Sequence, residues 1–285
     1  MSDKILAALA LASAAFASVP VAMTPQPANA QARRRVGRRT GFYPRRRTGP
    51  FWELVTGSSF ADGRARGTLA GGVTYEFPWG GYTSETRFGV HAQGAFNFGQ
   101  NRWDQTDHQV TAQGVLFARN PMIGEIGLVG GFTKFSDSYK EPVTYIGGEA
   151  EYYFQRVTFG GAVGAQMRDG QSDMVVQGGV SVYPTDNLKF TLSALYVGES
   201  KRGAASFGVE YQPPNGFFYI PGTETVLFAK GTFSHQAASL RAGMRLRWGD
   251  PSSSLIYSDR YHRKNFYGSV LGSEGISPVD ALPFK

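Results

Sequence analysis

The strongest constraint on the fold of this chain is an alternation of apolar and polar residues that runs from residue 51 to residue 248. In the stretch 85–98, one face carries Phe88, Val90, Ala92, Gly94, Phe96 and Phe98. The opposite face carries Glu85, Arg87, Gly89, His91, Gln93, Ala95 and Asn97. A period of two is typical of β-strands, and no helical stripe competes with it. The sequence therefore predicts an all-β fold.

Strand length indicates whether the apolar face points into a protein core or out toward lipid. A soluble β-sandwich also alternates, with its apolar side chains turned inward. The predicted strands here run for about 10 to 14 residues, whereas strands of soluble proteins average about 5 or 6. The polar face is rich in Gly, Gln, Thr and charges of both signs, which suits a water-filled interior. We therefore expect a closed antiparallel transmembrane β-barrel whose apolar side chains face lipid.

Twelve strands can be drawn in this region, and an even number suits closure. They span 51–60, 65–78, 83–98, 108–118, 124–135, 143–154, 158–168, 174–183, 188–198, 203–212, 223–234 and 238–248. The pattern of 51–60 is the weakest, and ten strands remain an alternative. Short turns alternate with longer polar loops, among which we place 169–173. Since short turns are usually periplasmic, this phase puts both ends of the barrel in the periplasm.

Aromatic residues gather near the ends of the predicted strands, as in the girdles of transmembrane barrels. They are Tyr75, Phe77, Phe96, Phe98, Phe117, Tyr152, Phe154, Tyr183, Tyr196, Tyr211 and Trp248. This placement favours side chains that sit at the two membrane interfaces.

The last predicted strand carries a more specific pattern. Arg241, Gly243, Leu246 and Trp248 occupy, in order, the polar, glycine, hydrophobic and aromatic positions of a short motif. The stretch resembles the assembly signal of small bacterial outer-membrane β-barrels. That resemblance implies recognition by the barrel assembly machinery and a place in the outer membrane of a Gram-negative cell. The motif usually closes the chain, whereas 37 residues follow it here.

The N-terminus resembles a secretory signal peptide. Lys4 precedes an apolar run from Ile5 to Met23, and Ala-Asn-Ala ends at Ala30. A charged start, an apolar middle and small residues before the cleavage site define such a segment. We expect a signal peptide over residues 1–30, with Ala32 as the alternative cleavage site.

Residues 31–50 are predicted to form an Arg-rich periplasmic linker. Its basic residues are Arg33, Arg34, Arg35, Arg38, Arg39, Arg45, Arg46 and Arg47. It is either a solvated extension or an anion-binding arm for lipopolysaccharide phosphates or peptidoglycan carboxylates, since guanidinium groups match both geometries. From Pro50 onward the chain carries 20 Lys and Arg against 21 Asp and Glu, so the net charge of +7 is local. We expect no nucleic-acid partner, because such a partner needs a basic face on the fold.

Residues 249–285 break the alternation and are predicted to form a C-terminal periplasmic tail. Aromatic residues and the cations Arg260, His262, Arg263 and Lys264 mix in its first half. The tail could extend into the periplasm, bind a periplasmic protein, or fold back into the barrel end as a plug. It is too short to form an independent domain.

Little in the sequence points to catalysis. There is no cysteine, which excludes disulfides and thiolate chemistry, and four scattered histidines support no metal site or cofactor. An outer-leaflet lipid-modifying enzyme would have to pair His108 or His235 with Ser234 or Ser239, and adjacency in sequence does not make a catalytic dyad. We expect a protein without enzymatic activity.

The inward face is predicted to carry charges of both signs. These are Arg64, Arg66, Glu76, Glu85, Arg87, Glu125, Glu149, Glu151, Arg168, Lys189, Glu210, Glu224, Lys230, Arg241, Arg245 and Arg247. Glu149 and Glu151 are interpreted as ion-pairing partners rather than as a catalytic carboxylate pair. Side chains nearly fill a barrel of about eight strands, while 16 or more strands leave a channel.

Two functions follow from such an interior. With three inward arginines on the last strand, the barrel could be a narrow porin-like channel for small anionic solutes. Alternatively, its charges could neutralise one another and seal the interior. The protein would then be a structural anchor that presents its Arg-rich arm and its tail to the cell wall, lipopolysaccharide or a periplasmic partner.

Overall fold

A computed structural model describes most of the alternating region and a short piece of the tail. The described residues are 50–61, 64–78, 86–100, 106–136, 142–198, 202–213, 223–234, 238–248 and 254–261. The predicted signal peptide and the arginines of the linker lie outside these residues, as do Glu85, His235 and His262.

Twelve antiparallel strands follow one another around a closed barrel, which confirms the predicted fold class. They are β1 (Phe51–Ala61), β2 (Arg64–Pro78), β3 (Arg87–Gln100), β4 (Thr106–Asn120), β5 (Gly124–Phe135), β6 (Val143–Phe154), β7 (Val157–Arg168), β8 (Gln171–Thr185), β9 (Leu188–Val197), β10 (Arg202–Tyr211), β11 (Thr223–Ser234) and β12 (Ala238–Trp248). We call the end where β1 begins and β12 ends the terminal end, and the opposite end the loop end.

The strand with the weakest pattern closes the barrel. β1 pairs with β2 on one side and with β12 on the other, in a register that runs from Trp52 opposite Trp248 to Ala61 opposite Ser239. A sheet without β1 would expose two rows of unpaired backbone groups, which cannot be satisfied in hydrocarbon. The alternative of ten strands is therefore wrong.

Apolar side chains point outward and polar ones inward, as the alternation predicts. The outward Leu128 and Ile126 are 68% and 66% exposed, and Val90 is also exposed. The inward Asn97 and Gln113 are buried. This inverted arrangement excludes a soluble sandwich, in which the apolar face would be the dry one.

Two aromatic residues that we assigned to the girdles face the interior instead. Phe117 and Tyr183 are buried on the inner wall, whereas Tyr75 and Tyr152 lie outward as expected. The Phe117 ring covers Gly89, and a Cβ at that glycine would collide with the ring. Position near a strand end was therefore a poorer guide than alternation, which places Phe117 and Tyr183 on the polar face.

The predicted polar loop over 169–173 is also wrong. β7 and β8 are joined by a two-residue turn in which Asp169 and Gly170 both have positive φ, 51° and 71°. Asp-Gly is a preferred pair for such a turn because both central residues of a type I′ hairpin need left-handed backbone. β8 consequently begins three residues earlier than the sequence analysis placed it.

The interior is not uniformly polar. A cluster of apolar side chains lines the inner wall from β4 to β9, and its members are Val115, Phe117, Val129, Val143, Tyr145, Val175, Leu195 and Val197. A smaller cluster joins Val55, Ala70, Ala95 and Phe228. These side chains narrow the space that a wider barrel would leave to water.

A short helix follows the barrel and packs against its terminal end. Helix α1 (Leu255–Tyr261) buries Leu255 and Ile256 in a cluster with Tyr183 of β8 and Val226 of β11. Of the outcomes considered for the tail, these residues therefore take the folded-back one. Within the described ranges, no helix is long and apolar enough to cross a membrane.

The outward face of β5 offers a test of its surroundings. Replacing Leu128, near the middle of the strand, with Lys should lower the free energy of unfolding by about 2–4 kcal/mol, because the charge would enter hydrocarbon. Ile123→Lys is the matched control: Ile123 is 60% exposed but lies in the β4–β5 turn, where the cost should be about 0–1 kcal/mol. Denaturant titration in lipid vesicles measures both, and equal small losses would contradict a lipid-facing wall.

Candidate functional site in the barrel interior

The last strand lines one side of the interior with cations. Arg241, Arg245 and Arg247 alternate along β12 and are all buried. They point inward because each lies an even number of residues from the next on a pleated strand. Leu240, which precedes Arg241 on β12 and points outward, is 61% exposed, which confirms the phase of this strand.

An aromatic ring separates two of these arginines. Phe228 of β11 lies inward, with the guanidinium carbons of Arg241 and Arg245 at 5.4 and 5.6 Å from its ring centre. Both distances are within the range of cation–π attraction. The ring fits because the facing positions are glycines: a Cβ at Gly243 would lie 2.7 Å from it, and one at Gly57 would lie 3.4 Å from it.

A first ion-pair network occupies the terminal half of the interior. Arg245 contacts Glu210 at 2.7 Å and Glu53 at 3.3 Å. Arg247 approaches Glu53 at 3.6 Å and Glu224 at 3.9 Å. The sequence analysis did not include Glu53, although it alternates with the inward Val55 on the strand whose pattern was weakest.

A second network lies on the neighbouring wall. Arg119 donates to Glu76 at 2.9 Å and to Glu125 at 2.6 Å, and Glu76 also accepts from Arg87 at 3.0 Å. Arg119 is fully buried and stacks on Phe117 at 4.8 Å. Sequence reasoning missed Arg119 because the predicted strand ended at residue 118. Extending the same alternation by one residue would have found it.

Glu149 and Glu151 lie on the inner wall of β6 and are both buried. Glu151 is directly opposite Glu125 in the β5–β6 register, and Glu149 is opposite Gly127. Glu125 carries the ion pair to Arg119, so the two carboxylates of β6 border the second network.

Neutral polar side chains line the wall formed by β2, β3 and β4. The His91 Nδ1 lies 2.7 Å from the Thr74 hydroxyl, and its Nε2 lies 3.2 Å from the Gln93 carbonyl. Further along, Thr68 donates to Asn97 at 2.8 Å, and Asn97 donates to Gln109 at 3.3 Å. His91 thus belongs to a hydrogen-bonded wall that Thr68, Thr74, Gln93, Asn97 and Gln109 share.

Charge is unevenly distributed along the barrel axis. Acidic side chains concentrate in the terminal half, within the two ion-pair networks. Among the inward side chains described in the loop half, the cations are Arg66, Arg168, Lys230 and Arg241, and the one acid is Asp173. The described inward side chains of that half therefore carry a positive excess. The side chain of Arg64, although its backbone belongs to β2, lies outside the described part.

Helix α1 places a carboxylate among donors of the barrel wall. The fully buried Asp259 accepts from the Tyr183 hydroxyl at 2.8 Å and from Lys189 Nζ at 3.0 Å. Its second oxygen lies 3.7 Å from Arg247, which also donates to Ser258 at 2.8 Å. Sequence analysis did not predict Asp259 as an interior charge, because no strand pattern extends to residue 259.

The other contacts of α1 reach across the terminal mouth. Arg260 donates to the Val157 carbonyl at 3.3 Å and lies 5.3 Å from the Tyr153 ring centre. Burial lowers the pKa of the Arg260 guanidinium, which nevertheless remains charged in proteins. Tyr261 approaches Met122 of the β4–β5 turn at 3.8 Å. The helix therefore touches the wall at β7, β8, β9, β11 and β12 and the turn after β4.

The structure does not bring His108 to the serines proposed for a lipid-modifying enzyme. Its ring lies on the outer wall beside Phe96, at 5.9 Å between ring centres. Ser234 belongs to β11 and Ser239 to β12, and β1, β2 and β3 separate β12 from β4 in the barrel. Among the described residues, no group of three or more His, Asp or Glu side chains could hold a metal ion.

Comparison with known proteins identifies the class of fold. No protein-family model and no curated protein matches the chain. The solved KdgM porin is similar with a TM-score of 0.50 and 8% identity, over 68% of this chain and 97% of KdgM. The outer membrane phospholipase A of Escherichia coli has a TM-score of 0.46 and 9% identity, over 70% of this chain and 90% of the enzyme. The translocator domain of the autotransporter NalP from Neisseria meningitidis has a TM-score of 0.42 and 12% identity, over 78% and 95%.

The similarity to KdgM shows that the chain has the fold of an outer-membrane β-barrel. At 8% identity this similarity extends to the fold alone.

The second ion-pair network yields a stability prediction. Arg119→Met should lower the free energy of unfolding by about 3 kcal/mol or more, because it leaves Glu76 and Glu125 buried with one partner fewer. The control is Arg156→Met, whose ion pair with Asp186 is solvent-exposed and should contribute only about 0–1 kcal/mol. Unfolding in lipid vesicles measures both variants. A loss for Arg119→Met no larger than that of the control would contradict a tightly coupled network.

Proposed function

We propose that this protein is a narrow, porin-like channel of the outer membrane that conducts small anionic solutes. The observation that carries the proposal is the excess of cations among the described inward side chains of the loop half, which includes the buried Arg241 of β12. A pore lined by Arg and Lys selects solutes by sign.

The two halves of the interior would contribute to different steps of conduction, the entry of an anion and its passage. The excess of cations among the described inward side chains of the loop half would draw an anion inward, while the ion pairs near the terminal end would set the width of the path. The KdgM porin, which shares the fold, has been determined in complex with oligogalacturonate. That ligand is an acidic sugar chain, which suits the anionic class of solute proposed here.

The proposal includes the location and orientation of the barrel. The outward apolar wall fits an outer membrane, and we propose that the terminal end, where β1 begins and β12 ends, faces the periplasm. We further propose that Arg241, Gly243, Leu246 and Trp248 are read by the barrel assembly machinery, as their resemblance to its signal implies. Lipopolysaccharide would contact the wall near the loop end.

Ion selectivity tests the channel. In planar bilayers with a KCl gradient, we expect small discrete current steps whose reversal potential indicates anion preference. Arg241→Gln should lower the anion-to-cation permeability ratio about fivefold, because one interior charge changes the energy of an ion by roughly 1–2 kcal/mol at an effective dielectric constant of 20. Lys134→Gln is the control, since Lys134 is exposed on the outer wall of β5. Cation-selective steps, or equal ratios in the two variants, would contradict the assignment.

A second candidate function is a non-conducting anchor. The charged side chains described on the inner wall are buried or half-buried, which favours it, because sealed interiors leave no path for solute. In this case the Arg-rich arm and the tail are the functional parts, and they bind peptidoglycan, lipopolysaccharide or a periplasmic protein.

Binding to peptidoglycan separates the two candidates. If the anchor is correct, the protein should sediment with purified peptidoglycan, and removing residues 33–47 should release most of it into the supernatant. The matched variant replaces the eight arginines of that segment with lysines, which keeps the charge but not the bidentate geometry. Sedimentation that is unchanged by the deletion would rule out the arm as the anchor.

A further inference from the structure

We propose that Tyr183, Lys189 and Arg247 form a binding subsite for the carboxylate of a small acidic solute, and that Asp259 of α1 occupies this subsite while the helix covers the terminal mouth. The proposal rests on the channel function above and names the group that the channel recognises. It assigns to α1 the role of a built-in competitor.

The first argument is the convergence of donors on one carboxylate. A hydroxyl and an ammonium group lie 2.8 and 3.0 Å from the same oxygen of Asp259, and a guanidinium lies 3.7 Å from the other oxygen. Charge-assisted contacts of this kind are what a protein uses to bind a carboxylate ligand. All three donors belong to the barrel, whereas the acceptor belongs to a seven-residue helix outside it.

The second argument is that the barrel holds the donors without the help of Asp259. Lys189 also contacts Glu210 at 3.1 Å, and Arg247 also approaches Glu53 and Glu224. Lys189 and Arg247 would therefore keep their positions if α1 left, and an arriving carboxylate would meet two preorganised cations.

The third argument is charge balance. Around the pocket, Lys189, Arg245 and Arg247 face Glu53, Glu210 and Glu224, so the wall by itself is neutral. Asp259 adds one negative charge to this set. A solute carboxylate in the place of Asp259 would leave the net charge of this set unchanged, because one anion replaces another.

The path for exchange leads through the terminal mouth. Apart from Asp259, α1 is held by the Leu255 and Ile256 side chains, by the hydrogen bond from Ile256 N to the Asp186 carbonyl at 3.1 Å, by the hydrogen bond from Arg247 to Ser258 at 2.8 Å and by the contacts of Arg260 and Tyr261. A solute that binds the subsite removes the carboxylate contacts and shifts the helix toward release. The solute would thus open its own exit, since binding that favours one state shifts the population toward it.

The absence of cysteine allows a direct measurement of helix position. Asp186→Cys and Ile256→Cys should form a disulfide when α1 is seated, because their backbone hydrogen bond brings the Cα atoms to about 5–6 Å. In the refolded full chain in lipid vesicles, sodium glucuronate is the probe and glucose is the neutral control. Glucuronate should slow cross-linking about threefold at saturation, as expected when binding and seating compete, and glucose should leave the rate unchanged.

Variants connect the effect to the subsite. Asp259→Asn in the same background should lower the half-maximal glucuronate concentration about tenfold, because the competing charge is gone. Asp169→Asn is the control, because it removes a carboxylate at the loop end and keeps a residue that tolerates positive φ. It should leave the half-maximal glucuronate concentration unchanged. Lys189→Gln should abolish the glucuronate effect while Arg247 still holds the helix.

The outcomes separate this inference from the channel. Equal slowing by glucose, or equal half-maximal concentrations in Asp259→Asn and the parent, would overturn the subsite even if bilayers show anion-selective steps. Silent bilayers together with intact competition by glucuronate would overturn the channel and leave the subsite standing, since cross-linking does not require conduction.

Discussion

The structure depends on the need to satisfy every backbone N–H and C=O group of a sheet that faces hydrocarbon. Water is absent there, so each group needs a partner within the chain, and an open sheet would leave two edges without one. The pairing of β1 with both β2 and β12 removes those edges. Closure also fixes the phase of every strand: once one face is committed to lipid, the other must be enclosed, whatever side chains it carries.

The enclosed face is packed with side-chain types that soluble protein cores seldom use. Arginine, glutamate and aromatic rings fill a space that aliphatic residues fill in soluble cores, and burying such charges is tolerated only when they are paired. Arg119 and Arg245 each contact two carboxylates. Large rings are accommodated over glycines, as Phe117 is over Gly89 and Phe228 is over Gly57 and Gly243. The glycine in the motif of the last strand therefore has a packing role of its own, independent of any recognition during assembly.

The terminal mouth joins the barrel to the tail through electrostatics rather than through a continuous strand or sheet. Apolar contacts of Leu255 and Ile256 position α1, while Asp259 completes a set of charges contributed by β9 and β12. Such a contact is bistable in principle, because the helix can leave without disturbing the closed sheet. β12 carries Arg241 in the loop half and Arg247 at the terminal end, and it thereby connects the cation-rich half of the interior to the helix at the opposite end.

The sequence alone determined the fold class, the count of twelve strands to within one weak pair, and which side chains face lipid, because a period of two is local and survives without knowledge of the neighbours. It also placed Arg241, Arg245 and Arg247 on one face. Tertiary structure decided what local pattern cannot encode: that Arg119 joins Glu76 across 43 positions in sequence, and that Asp259 enters the mouth from a segment with no alternation. Those contacts depend on the register between strands and on the return of the chain to the barrel end, and both are set only when the sheet closes on itself.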